Sequence, residues 1–482
     1  MESIWSKSVK IPEKQVCPSD KKVDVAVIGA GMAGILTAYL LQERGVEVIV
    51  IEADRIAGGQ TKNTTAKITS QHGMRYEELI RKYGHEKARL YATANREAIN
   101  RYQEIVEKHE IACDFERLPS YLYSVEDEEK LKKEAEAAMS LGITARFCEK
   151  NSLHFALPFA VKGAVCFEDQ AQFHPLKFIR QLAEELEIYE GTRVLSVKGH
   201  VILTNHGKVT AQRIIFATHY PIVNIPGCYF LRQHQERSYV VAYSGVEALN
   251  GMYYSADAEG LSYRSYQNIL LAGGSAHRTG KNEMGGCYES IRQEVKKYFP
   301  KAQETACWSA QDCITHDDLP FIGKYSLLRP YWYVATGFGK WGMTFSMIAA
   351  SIITDEIAGK ENPYAHLFSP QRWNFAPAIK KFMVDLGESS VGLLWLRNLL
   401  LTQKEADLKN GQGGVVRNGL KRYGCYKEAD GTIHRVSLRC PHMGCELEWN
   451  QDERSWDCPC HGSRFDYNGN LIDDPAKWRI GK

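Results

Sequence analysis

The chain has 482 residues, too many for one ordinary core, so two or three domains are expected. Its 60 basic and 58 acidic residues leave a formal charge of +2, and with no long basic run a nucleic-acid partner is excluded. The amino terminus lacks the apolar stretch of a secretory signal, and no apolar run approaches the roughly 20 residues that span a bilayer. The reading is therefore a cytoplasmic protein with no membrane span, and a scatter of cysteines without a framework fits that compartment.

Val23 to Ile28 is an apolar run of strand length that ends in Gly29-Ala30-Gly31-Met32-Ala33-Gly34. A helical pattern follows from Ile35 to Arg44, then a second strand from Val46 to Ile51 that ends at Glu52, eighteen residues past Gly34. Strand, G-x-G-x-x-G, helix, strand and acid form a dinucleotide site. The glycines let the backbone approach a pyrophosphate at the helix N-terminus, and the acid accepts from ribose hydroxyls. At this point FAD and NAD both remain open.

Further pieces decide between them by resemblance. Arg55-Ile56-Ala57-Gly58-Gly59, the hydroxyl pair Thr64-Thr65, Asp169 to Pro175 and the strand-like run Thr192 to Val197 come first. Arg213 to Thr218, Asp318-Leu319-Pro320-Phe321-Ile322-Gly323 and the glycine-rich Tyr333 to Thr344 follow. Together they resemble flavoproteins of the D-amino-acid oxidase and glycine oxidase superfamily. That resemblance implies an α/β, Rossmann-like FAD-binding domain joined to an α+β substrate domain. It also implies FAD contacts at Gly29, Gly31, Gly34, Glu52, Arg55, Gly59, Thr65, Val194, Gly337, Gly339, Gly342, Met343 and Thr344. The expected division is an oxidoreductase over 1–365. Its nucleotide-binding pieces lie near 20–75, 165–225 and 315–360, and its substrate pieces near 76–164 and 226–314. The first substrate piece reads as largely helical, with an amphipathic stretch from Lys87 to Lys108. The second alternates aromatic and polar residues like a half-buried antiparallel sheet.

In this superfamily a hydride leaves a carbon next to nitrogen, so alignment and exclusion of water matter and no dedicated acid or base is required. Candidate catalytic or anchoring residues in the roof segments are Arg232, Arg237, Arg264, His277 and the neighbouring Arg278. Thr344 stands where sarcosine-oxidase-like members carry a substrate-gripping lysine, and Gln311 where they carry the cysteine that attaches flavin. Noncovalent FAD is the expectation.

Residues 366–410 read as a helical linker. Its apolar stretch over 391–401 is too short to cross a membrane, and it reads as a docked helix in preference to a membrane-surface anchor. The region 411–482 closes with Cys440-Pro441-His442-Met443-Gly444-Cys445 and Cys458-Pro459-Cys460-His461-Gly462-Ser463. Alternating Cys and His favours an iron–sulfur cluster with thiolates on one iron and imidazoles on the other, a zinc knuckle being the other reading. These two loops resemble Rieske proteins of the cytochrome bc-complex type, small all-β domains. The resemblance implies a [2Fe-2S] cluster on Cys440, Cys458, His442 and His461, a disulfide between Cys445 and Cys460, and a hydroxyl donor to cluster sulfur at Ser463. Phe465 stands where high-potential members carry a tyrosine donor, so the expected potential is below the top of the Rieske range.

Two redox centres in one chain make the expected protein a FAD-dependent dehydrogenase. It would oxidise an amine or amino-acid-like small molecule and pass electrons through the cluster to an external acceptor. A cluster-fed flavin reductase and a non-catalytic redox sensor are the alternatives.

Overall fold

The computed structural model describes residues 2–150, 157–372, 404–419 and 421–481. The helix expected over 391–401 lies outside the described residues. Among the described residues no helix is long and apolar enough to cross a membrane.

The first sheet grows from the apolar runs near the start of the chain. Strand Lys21–Ile28 lies parallel to both Val48–Ile51 and Gly207–Phe216, with Val25 opposite Val48 and Val27 opposite Val50. All four residues of Val48–Ile51 are buried. β-Branched side chains covered on both faces suit a parallel sheet, each fully buried one contributing about 1.5–3 kcal/mol. The sheet runs Val194–Lys198, Val201–Thr204, Gly207–Phe216, Lys21–Ile28, Val48–Ile51, Ile188–Tyr189, and Arg329–Thr336 adds to Gly207–Phe216. Helices Met32–Gln42 and Gly342–Ile357 pack together over this sheet and are buried almost all round.

A second eight-stranded sheet roofs the first. Its order is Gln303–Thr315, Gln233–Ser244, Ile269–Arg278, Ser262–Tyr266, Met252–Ser255, Ser120–Ser124, Gly163–Phe167, Ala145–Glu149. The amphipathic stretch is the helix His85–Lys108, as its periodicity predicts. The segment 76–164 is less purely helical than expected, because it also supplies Ser120–Ser124 and Ala145–Glu149 to this sheet. Both are five-residue strands, too short for alternation to stand out between helices.

The C-terminal part is all strand. A three-stranded sheet, Gly413–Asn418, Lys421–Lys427, Ile433–Val436, stands beside a four-stranded one, Glu448–Asn450, Ser455–Asp457, Arg464–Asp466, Leu471–Asp473. Its core is Trp449, Trp456, Tyr426 and Phe465 together with the disulfide-joined Cys445 and Cys460. Such a small core gains from a covalent staple.

Candidate active site

The nucleotide motif is built by close backbone packing. Gly29 has φ +106, and a Cβ there would lie 2.5 Å from the carbonyl oxygen of Ala217. Gly34 packs against Gly29, where a Cβ would reach 1.9 Å. Glu52 accepts from the amides of Ala30 (2.7 Å) and Asp54 (2.9 Å). Burial pushes its carboxyl up, against those two hydrogen bonds and aided by Asp474. Helix Met32–Gln42 has Gly31 at its N-cap with no side-chain cap, so its end can receive an anion.

These groups open into a cavity of about 470 Å³ lying between the two sheets, a size typical of cofactor sites. Of the residues expected at FAD, Gly29, Gly31, Glu52, Gly59, Thr65, Val194, Gly337, Gly342 and Met343 line it. Gly34, Arg55, Gly339 and Thr344 do not. Gly34 is spent on packing, and Arg55 pairs with Glu13 and Glu190. Thr344 is buried against Thr69 and His72. Two polar atoms of wall residues, His219 Nε2 and Tyr220 OH, are buried without hydrogen-bond partners among the described residues. A polar group entering the cavity would satisfy such atoms, so the chemistry fits a dinucleotide. His219 takes a left-handed φ of 62 at the place where the resembled family has glycine.

None of the candidate roof residues reaches the cavity wall. Arg232 donates to the carbonyl of Pro370 and stacks on Phe321. Arg237 is buried and holds Ser309, Gln311 and Glu453. Arg264, 0% exposed, donates to the carbonyls of Thr65 and Ala66. His277 sits between Tyr239 OH and the carbonyl of Arg278, and Arg278 itself donates to the carbonyl of Pro459. Each side chain makes its hydrogen bonds to backbone carbonyls, polar side chains or carboxylates and none lines the cavity, although Arg237 Nε and Arg264 Nε and Nη2 are buried without partners among the described residues.

The basic groups that do line the cavity are Lys67, Arg193, Lys340 and Lys477. Arg193 pairs with Asp474 (3.5 Å) and Lys340 with Glu236 (2.9 Å). Among the described residues Lys67 and Lys477 donate only to backbone carbonyls, of Tyr253 (3.3 Å) and Leu195 (2.9 Å). Burial holds the Lys67 ammonium down to about 7. Tyr254 and Trp341 pack beside it, ring centroids 5.3 Å apart. Lys67 directly follows the Thr64-Thr65-Ala66 run, and that position was its one sequence signal.

The two cysteine–histidine loops repeat one turn. The amide of Gly444 donates to the carbonyl of Cys440 and that of Gly462 to the carbonyl of Cys458, each at 2.9 Å. Cys440 and Cys458 bring their thiols together beside Ser463, and the rings of His442 and His461 lie 4.9 Å apart. The sulfurs of Cys445, Cys458 and Cys460 also cluster, but Cys445 and Cys460 are joined in the disulfide. The donor set left is two thiols and two imidazoles. Asn224 Oδ1 lies 3.0 Å from His442 Nε2. That oxygen can only accept, so Nε2 carries the hydrogen and Nδ1 presents its lone pair. His442 Nδ1 is buried without a hydrogen-bond partner among the described residues, the state in which an imidazole ligates a metal. Ser463 Oγ accepts from the amide of Ala476 at 2.9 Å, leaving its own hydrogen for a sulfur.

The second loop docks on strands Gln233–Ser244 and Gln303–Thr315, which also supply cavity residues. Gln235 donates to the carbonyl of His461 (2.6 Å) and Gln311 to that of Gly462 (2.9 Å). Gly462 has φ +81, and a Cβ there would strike Gln235 at 2.7 Å. Tyr220, a cavity-lining residue, stands edge-on to His461 with ring centroids 6.4 Å apart. The His461 ring therefore turns inward, only 6% exposed, while His442 is half-buried. Residues from the middle of the chain and from its C-terminal domain make this interface, and no local pattern announces it.

A profile of the family described as FAD dependent oxidoreductase matches residues 24–356, and one of the Rieske [2Fe-2S] domain matches residues 398–481. The chain is 36% identical over 492 residues to YhfW of Bacillus subtilis (strain 168), named as a Rieske 2Fe-2S iron-sulfur protein, with 98% of this chain and 96% of YhfW covered. Among solved structures it is similar to glycine oxidase from Geobacillus kaustophilus, with a TM-score of 0.63 and 19% identity over 73% of this chain and 99% of that one. It is likewise similar to L-amino acid deaminase from Proteus vulgaris, with a TM-score of 0.62 and 19% identity over 76% and 100%. The chain belongs to the FAD dependent oxidoreductase family and carries a C-terminal Rieske domain, which makes it an oxidoreductase with FAD and a [2Fe-2S] cluster as cofactors.

Proposed function

We propose that the protein is a dehydrogenase that oxidises an amine or amino-acid-like substrate and passes the electrons, through its own Rieske domain, to an external acceptor. FAD supplies a hydride acceptor when bound, and the cluster a one-electron carrier. The cluster is assigned to Cys440, Cys458, His442 and His461, with Ser463 donating to a sulfur. One observation carries the reading: Gln235 and Gln311, on two strands that also supply cavity residues, hydrogen-bond the His461 loop, and Tyr220 both lines the cavity and stands edge-on to His461. Contact of this kind suits electron passage between the two sites and has no purpose in two independent modules.

The remaining roles belong to the chain. Lys67, with no carboxylate of its own, faces the substrate's anionic end and takes the part first considered for the roof arginines. Tyr254 and Trp341 wall the site and exclude water. Asn224 holds the His442 ring in place. The outward side of the cluster loops, where Pro441 and Met443 are exposed, is left for the acceptor. The names of the structurally similar glycine oxidase and L-amino acid deaminase agree with a substrate bearing nitrogen beside the oxidised carbon.

The test is anaerobic stopped-flow mixing with a panel of amines and amino acids. Flavin bleaching followed by the reduced-cluster EPR signal is expected, and slower cluster reduction in Tyr220→Leu. Bleaching with a cluster that stays oxidised removes the relay, and no bleaching with any member of the panel removes the substrate class.

A further inference from the structure

The cavity has one wall that does not come from the flavin-binding part of the chain. Leu471, Ile472, Asp473, Asp474 and Lys477, all on the last strand of the Rieske domain or just after it, line the same space as Gly29, Gly31, Glu52 and Val194. A helix N-terminus and an acid at the end of the second strand mark the pyrophosphate and ribose end of a dinucleotide site. We propose that segment 471–477 forms part of the binding site for the ADP half of FAD, so that flavin binding and docking of the Rieske domain depend on each other.

Three contacts fix the segment there. Gln60 donates to Asp473 Oδ1 at 3.1 Å, Arg193 pairs with Asp474 at 3.5 Å, and Lys477 donates to the carbonyl of Leu195 at 2.9 Å. Two features of the segment match that half of the cofactor. Lys477 brings a cation without a carboxylate within ion-pair distance among the described residues, where a pyrophosphate carries two negative charges. Ile472 presents an apolar side chain, 48% exposed, that a purine face would cover. The other end of the same short segment reaches the cluster, through the amide of Ala476 to Ser463 Oγ beside Cys440. One stretch of backbone therefore touches both cofactor sites. Whatever FAD gains from this wall, the docked state of the Rieske domain gains in equal measure, because the coupling between two binding events is reciprocal.

The inference rests on FAD as cofactor and not on the identity of the substrate. The experiment strips FAD from the full-length chain and titrates FAD back by quenching of its fluorescence, with ADP as competitor, in wild type, Lys477→Ala and Ile472→Asp. An unchanged reduced-cluster EPR signal certifies the Rieske fold of each variant. Both variants are expected to bind FAD and ADP at least tenfold more weakly than wild type. In the wild type, amide exchange over 471–477 and over the 459–463 loop is expected to rise when FAD is removed. If either variant keeps its cluster signal and its FAD affinity, or if the dissociation constant for ADP is the same in all three proteins, the proposal fails. If a variant loses its cluster, the exchange measurement on wild type decides, and equal protection with and without FAD overturns the proposal.

Discussion

Removing the negative charge of Glu453 should loosen the Rieske domain from its partner. The carboxylate side chain is 12% exposed and meets Arg237 and Arg464, each at 3.3 Å. It also accepts from Ser309 Oγ and Tyr288 OH, each at 2.7 Å. Burial raises its carboxyl, but the two guanidinium groups and these hydroxyls outweigh it, holding it at about 2 against an ordinary 4.5. That depression corresponds to about 3 kcal/mol of stability, in the range of about 3–5 kcal/mol for breaking a buried ion pair. Because the folded value lies below the unfolded one, the contribution is complete above about pH 4.5 and is lost as pH falls towards 2. Glu453→Gln keeps the shape and removes the charge. Denaturant unfolding followed by cluster absorbance should give an unfolding free energy lower by about 3 kcal/mol at neutral pH, and the gap should close on acidification. A loss under about 1 kcal/mol at neutral pH, or a gap that ignores pH, would refute the argument.

On the proposed assignment of Ser463 as a donor to cluster sulfur, Ser463→Ala removes one hydrogen bond. At about 1–1.5 kcal/mol per bond this lowers a one-electron potential by about 40–65 mV, read by redox titration. Phe465→Tyr should raise the potential by restoring the missing donor, and no upward shift would overturn that reading of Phe465. Lys67→Met should weaken a carboxylate-bearing substrate by about 10- to 100-fold, as expected for a charge-assisted hydrogen bond. Lys67→Arg should restore much of the loss, and an unchanged KM would remove Lys67 from the site. Acid precipitation should release all flavin into the supernatant, because Gln311 is a non-nucleophile engaged with Gln235 and Gly462. Colour retained in the pellet would mean a covalent link.

Both cofactors could be read from the sequence because each is announced by a contiguous stretch. A glycine turn between strand and helix and a cysteine–histidine loop make most of their site out of neighbouring residues, where spacing alone fixes what the backbone can do. The paired sheets followed from apolar runs and alternation for the same local reason. Tertiary structure decided the rest. An arginine in a strand reads alike whether it grips a ligand or backbone, and only the folded chain shows Arg264 spent on Thr65 and Ala66 while Lys67 is left facing the cavity. Docking was equally illegible, since it pairs Gln60 with Asp473 and Asn224 with His442 across hundreds of residues. Such contacts depend on how two finished surfaces complement each other, and no short-range pattern encodes that.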